Sequence, residues 1–199
     1  MNPFTYPAAA HQRRHGPQGY ADADSFRTWL RDEFSFRCIY CLEREQWGKV
    51  RGTFDLDHFL PQAFHPEQAL SYDNLLYCCA ACNAGKGGQR IPNPEKVLAA
   101  GDVWVNEDGT IVTRTAAAQR VVRKLGLDEP GYTEFRLLWI NIVALAERYD
   151  LDLYQKLLGY PADLPNLATL RPPGGNIRPE GVEQSCLVRR QNGTLPETY

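Results

Sequence analysis

The 199 residues suffice for one domain of ordinary size, or for two small ones, with a core that needs no covalent staple. An apolar content of 43%, a charged content of 23% and a formal net charge of −2 are those of a globular chain and exclude a uniformly basic coat for nucleic acid. No apolar run approaches the ~18 residues of a membrane span, and "MNPFTYPAAAHQRRHG" lacks the apolar stretch of a secretory leader. The expectation is a cytoplasmic protein with no membrane partner, in which six cysteines do not form a disulfide framework.

In chain order, residues 1–21 are rich in Pro, Gly, His and Arg without apolar periodicity and read as a flexible arm. Its Arg13, Arg14, His11 and His15 could follow a nucleic-acid backbone or groove. Asp22 or Asp24 can cap a helix reaching about residue 34, with Phe26, Trp29, Leu30 and Phe34 on one face. "CIYC" makes a tight knuckle. "GTFDLDHFLPQ" predicts a strand with Phe54 and Leu56 inward and Asp55 and Asp57 outward, ended by Pro61. "NLLYC" predicts its partner strand, and "AACNAGK" a helix stopped by Gly87 and Gly88.

Further on, the pattern predicts a helix over 94–100, a hairpin turning at Asp108 and Gly109, and a capped helix ending at Gly126. The longest helix spans 132–149. Phe135, Leu138, Trp139, Ile142, Leu145, Ala146 and Tyr149 form one apolar stripe on it, and Leu137, Ile140 and Val143 add a second face, which implies burial on two sides. After residue 160 the chain becomes Pro-, Gly- and Asn-rich and reads as a long, mostly irregular tail. The fold class is α+β: a small core within 22–95, then a mostly helical region with a β-hairpin over 96–199.

The cysteines carry the strongest signal. Cys38 and Cys41 form one Cys-x-x-Cys pair and Cys79 and Cys82 another, the four-thiolate pattern of a closed structural zinc site. The intervening residues 42–78 outnumber the ~15–20 of a simple zinc ribbon, so the metal must staple the ends of an inserted element. Cys78 and Cys186 are left over as buried free thiols. Cys78 could compete with Cys79, but only Cys79 keeps the two-residue spacing.

"CIYC", "DLDHFLP", "YDNLL" and "CAACNAGK" together resemble the HNH endonuclease superfamily in its zinc-stapled, four-cysteine ββα-metal form. The resemblance covers about residues 36–88, with Asn83 where the third signature position is often histidine. The flanking residues resemble a bacterial, defence-associated subgroup. The resemblance implies a ββα core, structural Zn²⁺, a catalytic Mg²⁺ or Mn²⁺ held by Asp57 and Asn83, His58 as general base, and Asn74 orienting the His58 ring through backbone hydrogen bonds.

Those roles suit phosphodiester hydrolysis, which needs an activated water and positive charge opposite the phosphoryl oxygens. Free imidazole titrates at about pH 6.5, close to where a base must work. Asp57 and His58 are adjacent on a strand and share a site only if the strand bends or ends there. Phosphate contacts are expected from Lys86, Arg90, Lys49 and Arg51. The local charge agrees: 37–51 holds Arg37, Arg44, Lys49 and Arg51 against Glu43 and Glu45, whereas 127–165 is acidic.

The expected function is therefore a metal-dependent endonuclease acting on DNA, double-stranded and with low sequence preference, as an effector of bacterial defence. The alternatives are a non-catalytic zinc-stabilised module that binds nucleic acid or protein, and an RNA-cleaving relative. A cytoplasmic nuclease needs restraint, so the C-terminal half is expected to dock a protein partner such as an ATPase or sensor subunit, or a second copy. His65 reads as an ordinary surface residue.

Overall fold

A computed structural model describes residues 2–48, 53–99 and 101–199. A short 3₁₀ turn at Asp24–Phe26 leads into helix α1, Arg27–Glu33, which buries Trp29 and Leu30. Strands β1, Phe54–His58, and β2, Leu75–Cys79, pair antiparallel with Phe54 opposite Cys79 and His58 opposite Leu75. Helix α2, Ala80–Lys86, follows β2 without a break. Gly87 ends it at φ +50°, a left-handed conformation that glycine adopts without a Cβ penalty, and its N–H bonds Asn83 O.

The remaining elements cover this unit. Helix α3 is Pro94–Val97, and strands β3, Val103–Val105, and β4, Ile111–Thr113, make a second two-stranded sheet. Helix α4, Ala116–Lys124, is capped by Thr115 Oγ1 on Ala118 N. Helix α5, Pro130–Tyr149, is followed by α6, Leu151–Leu158, and near the C-terminus by α7, Cys186–Gln191. Gly109, at φ +81°, brings the hairpin turn onto α5 so closely that a Cβ there would lie 2.4 Å from Thr133 O. Arg136 Nε donates to Gly109 O at 2.6 Å and locks the contact.

One contiguous core runs through all of this. Phe26, Trp29 and Leu30 share it with Leu75, Leu76 and Cys78 of β2 and with Val121, Val122 and Leu125 of α4. The fold is mixed α+β with two small antiparallel sheets. Among the described residues no helix is long and apolar enough to cross a membrane.

The N-terminal segment departs from the sequence expectation of a flexible arm. Phe4 and Tyr6 are buried, Tyr6 Oη donates to Tyr40 O at 2.6 Å, and Arg13 Nη2 donates to Leu75 O at 2.6 Å. His15 is fully buried against Asp32, with Nε2 2.9 Å from Oδ2, and so is not free to follow a nucleic-acid groove. Apolar periodicity could not reveal this docking, because polar side chains and backbone groups spaced irregularly along the segment make most of it. The tail also differs from expectation: α7 is helical, and Tyr199 N bonds Leu158 O at 3.0 Å while its ring stacks on Tyr160.

Glu33, at the end of α1, gathers this segment. Its carboxylate accepts from Arg14 N at 2.9 Å, His15 N at 3.0 Å, His11 Nε2 at 3.1 Å and Tyr72 Oη at 3.0 Å. Burial by itself raises the pKa of Glu33, but the His11 hydrogen bond and the charges of His15 and Arg14 win and hold it well below the usual carboxylate range. A depressed folded-state pKa gives stability that is present above the unfolded value of about 4.3 and is lost as pH falls toward the folded one. Glu33→Gln should accordingly cost on the order of 3 kcal/mol at pH 7 and flatten acid unfolding below about pH 4. Urea titrations of both proteins at the two pH values check this; parallel pH profiles would remove the role.

Candidate metal centre and the adjoining strand end

The chain folds so that two short turns face each other. In the first, Cys38 N bonds Glu43 O at 2.8 Å and Leu42 N bonds Cys38 O at 3.0 Å, which curls residues 38–43 tightly. Tyr40 N points at Cys38 Sγ at 3.4 Å. In the second, Cys79 is the N-cap of α2 and its Sγ accepts from Cys82 N at 3.5 Å. β1 carries nothing to the centre itself; it holds β2 in place, and β2 delivers Cys79.

The four Sγ atoms of Cys38, Cys41, Cys79 and Cys82 lie within 4.8 Å of one another, and all four residues are buried. A tetrahedral zinc with Zn–S bonds of about 2.3 Å sets its sulfurs about 3.8 Å apart, and Cys41 Sγ stands 3.7 Å from Cys79 Sγ. The donor set therefore fits a structural zinc. Cys78 and Cys186 are buried outside the cluster, as expected from the spacing.

One ligand neighbour comes from far along the chain. Tyr132, in the first turn of α5, places its hydroxyl 3.4 Å from Cys82 Sγ. Burial and the nearby Cys82 sulfur push this phenol well above its ordinary range, so it stays a donor. The only sequence signal was a tyrosine opening a long helix, and nothing in the local pattern linked it to the cysteines.

His58 ends β1. Its Nε2 is 3.0 Å from Ala69 O; a carbonyl only accepts, so Nε2 carries the proton. Nδ1 has no hydrogen-bond partner among the described residues. Asn74 holds the loop that supplies this carbonyl. Its Oδ1 accepts from Leu60 N at 2.7 Å, and its Nδ2 donates to Leu60 O at 3.2 Å and Gln68 O at 3.1 Å. The amide thus ties both ends of the loop that carries Ala69.

The other face of the strand differs from expectation. Asp57, expected outward, is 4% exposed: its Oδ2 accepts from Tyr40 Oη at 2.6 Å and its Oδ1 from Lys86 Nζ at 2.8 Å. Lys86, expected on phosphate, is 1% exposed and also donates to His58 O at 2.7 Å. α2 lies across this face of β1, and a buried carboxylate so covered needs a counter-charge, which Lys86 supplies. Asn83 is half-buried and its Nδ2 donates to Asp55 Oδ2 at 3.1 Å, not to Asp57.

β1 stays in regular register through His58, so Asp57 and His58 point to opposite faces. Asp57 and Asn83 do not form the ligand pair expected for a divalent ion: the Lys86 ammonium stands at Asp57, where that ion would bind. As arranged, the side chains do not fit a catalytic Mg²⁺ or Mn²⁺ at Asp57. Of the other expected phosphate contacts, Arg90 is exposed, with Nη2 3.1 Å from His65 Nε2 and its guanidinium 5.8 Å from the Phe64 ring. Lys49 and Arg51 lie outside the described residues.

Lys86→Met should leave the Asp57 carboxylate buried without its cation and destabilise the fold by about 3–5 kcal/mol, whereas Lys86→Met with Asp57→Asn should recover most of the loss. Denaturant midpoints of the two variants measure this, and equal losses would show that the pair is not coupled.

Comparison with models of protein families and with curated proteins gives no match to this chain.

Proposed function

We propose that the protein is a hydrolase of phosphodiester bonds, an HNH-type endonuclease acting on DNA. The observation that carries this reading is the pairing of a four-cysteine cluster with a β-hairpin and helix in which His58 ends the first strand, its ring oriented through Nε2 by Ala69 O. In its neutral form with the proton on Nε2, the ring would take a proton from water at Nδ1 while the loop tied by Asn74 holds it in place. Lys86, bonded to Asp57 and to His58 O, fixes the backbone that presents the ring. Exposed Arg90, beside Phe64 at the loop, supplies positive charge for a phosphate backbone.

Sequence resemblance implies a divalent ion at Asp57 and Asn83, which the Lys86–Asp57 pair does not fit, so the reading rests on His58 and not on that ion. The test is incubation of the purified chain with supercoiled plasmid, linear duplex and RNA, each with Mg²⁺, Mn²⁺ or chelator. Nicking or linearisation of plasmid supports the reading, and an inert protein under all conditions ends it. Cleavage restricted to RNA would move the substrate class.

A second reading, a non-catalytic zinc-stabilised binding module, is favoured by one specific observation: both Asp57 oxygens are engaged inside the protein. It predicts duplex binding in a gel-shift assay with no strand scission at any divalent-ion concentration. The role in bacterial defence is proposed from the resemblance alone, and its check is survival of phage challenge by cells expressing the protein with its genomic neighbours.

A further inference from the structure

Helix α5 buries one face and exposes the opposite one. Arg136, Val143 and Ala146 are buried, with Tyr132, Phe135 and Trp139 packed against the core beside them. At about 100° per residue these positions centre on one side of the helix, and Glu134, Leu137, Leu138, Asn141, Ala144, Leu145 and Arg148 centre on the other. All seven are exposed, Leu138 and Leu145 at 58% and 59% and Leu137, which borders the hairpin turn at Gly109, at 37%. The two faces expected from the sequence are not those buried: Leu138, Leu145 and Tyr149 of the first stripe and Leu137 of the second are exposed, while the covered face takes Phe135, Trp139 and Ala146 from the first and Val143 from the second.

The exposed face has an internal symmetry. Positions 134 and 148, 137 and 145, and 138 and 144 stand at equal distances from Asn141. Two copies of the helix laid antiparallel about a two-fold axis at Asn141 would set Glu134 of each against Arg148 of the other. Leu137 would meet Leu145, Leu138 would meet Ala144, and Asn141 would meet itself. Positions 134, 137, 141, 144 and 148 follow the alternating three- and four-residue spacing of a helix–helix seam. The outer charges oppose, the inner positions are mostly apolar, and the antiparallel helix dipoles attract.

We infer that this face of α5 binds a second copy of the chain as an antiparallel helix pair about a two-fold axis at Asn141. A second copy is the occupant because reversal of this face sets Glu134 against Arg148 at both ends and leucine against leucine or alanine between them, so the face is complementary in charge to itself. The inference does not depend on the chemistry at His58. One helix seam is smaller than the ~800 Å² a side of a standard stable interface, so a dissociation constant on the order of micromolar is expected.

Sedimentation equilibrium of the full-length, zinc-loaded protein tests this. Wild type should show a reversible monomer–dimer equilibrium. Leu145→Glu, at an exposed site, should give a monomer with unchanged circular dichroism. Glu134→Arg and Arg148→Glu, which each set like charges together, should weaken the dimer by about tenfold or more, and the double exchange should restore it to within about threefold of wild type. That rescue is specific to antiparallel pairing. A wild-type protein that is monomeric up to its solubility limit would overturn the inference, as would a dimer that ignores Leu145→Glu or is not restored by the double exchange.

Discussion

Cys38→Ser and Cys82→Ser are expected to yield protein that retains no zinc and has no folded core. Structural zinc in small zinc domains contributes about 10–16 kcal/mol at neutral pH, as much as the whole stability of a typical domain. Here the cluster joins the turn at 38–43 to the junction of β2 with α2, which single hydrogen bonds such as Ile39 N to Tyr77 O otherwise link. Leu42 has φ +63°, a left-handed conformation that costs a branched side chain roughly 1–2 kcal/mol, and it directly follows Cys41. Without metal, four buried thiols a few ångströms apart contribute only weak hydrogen bonds in place of metal–sulfur bonds. The hydrogen bond with Cys38 raises both Cys41 and Cys82, and burial adds to it, whereas at Cys38 hydrogen bonds from the other three thiols overcome burial and pull it well below its ordinary value. Elemental analysis should find one zinc per wild-type chain, and circular dichroism should show the serine variants unfolded. A serine variant with a native spectrum and cooperative unfolding would show that the fold does not rely on the metal.

The second large effect concerns His58. In His58→Ala, plasmid cleavage should fall by about two to four orders of magnitude, the range that a positioned acid or base contributes. Zinc content and thermal unfolding should stay close to wild type. Among the described residues the ring makes one hydrogen bond, to Ala69 O, and it is half-buried, so its removal costs stability on the order of 1 kcal/mol. Asn74→Ala separates positioning from chemistry: it frees Leu60 and Gln68, and it should lower the turnover rate with little change in duplex affinity. A His58→Ala protein that cleaves at the wild-type rate would remove the base from this residue, and with it the nuclease mechanism argued from the strand end.

The two predictions rest on different parts of the chain, and these parts were unequally legible. Cysteine spacing, the strand "FDLDH", the strand "LLYCC" and the helix stopped at Gly87 could all be read directly. Each depends on contacts within a few residues or on period-two alternation, which local sequence encodes. The helix read over 132–149 was legible for the same reason, and the structure begins it two residues earlier at Pro130.

What tertiary structure decided was which side of an element is covered, and by what. The alternation of β1 placed Asp57 outward, because a carboxylate is ordinarily solvated. α2 lies over that face, and Lys86 makes the burial tolerable. That outcome depends on a pair separated by 29 positions. The docking of residues 2–21 depends on Glu33 and Asp32 collecting backbone N–H groups and histidines, for which no periodicity exists. Tyr132 reaches Cys82 only because the hairpin turn at Gly109 and Arg136 seat α5 against the core. By itself, the sequence determined a four-thiolate cluster and the hairpin and helix that carry half of it, since ligand spacing and strand period are local properties. Only the folded chain decided that Asp57 faces Lys86 rather than an ion and that one face of α5 stays open, because burying a charge or an apolar stripe depends on whichever distant element arrives to cover it.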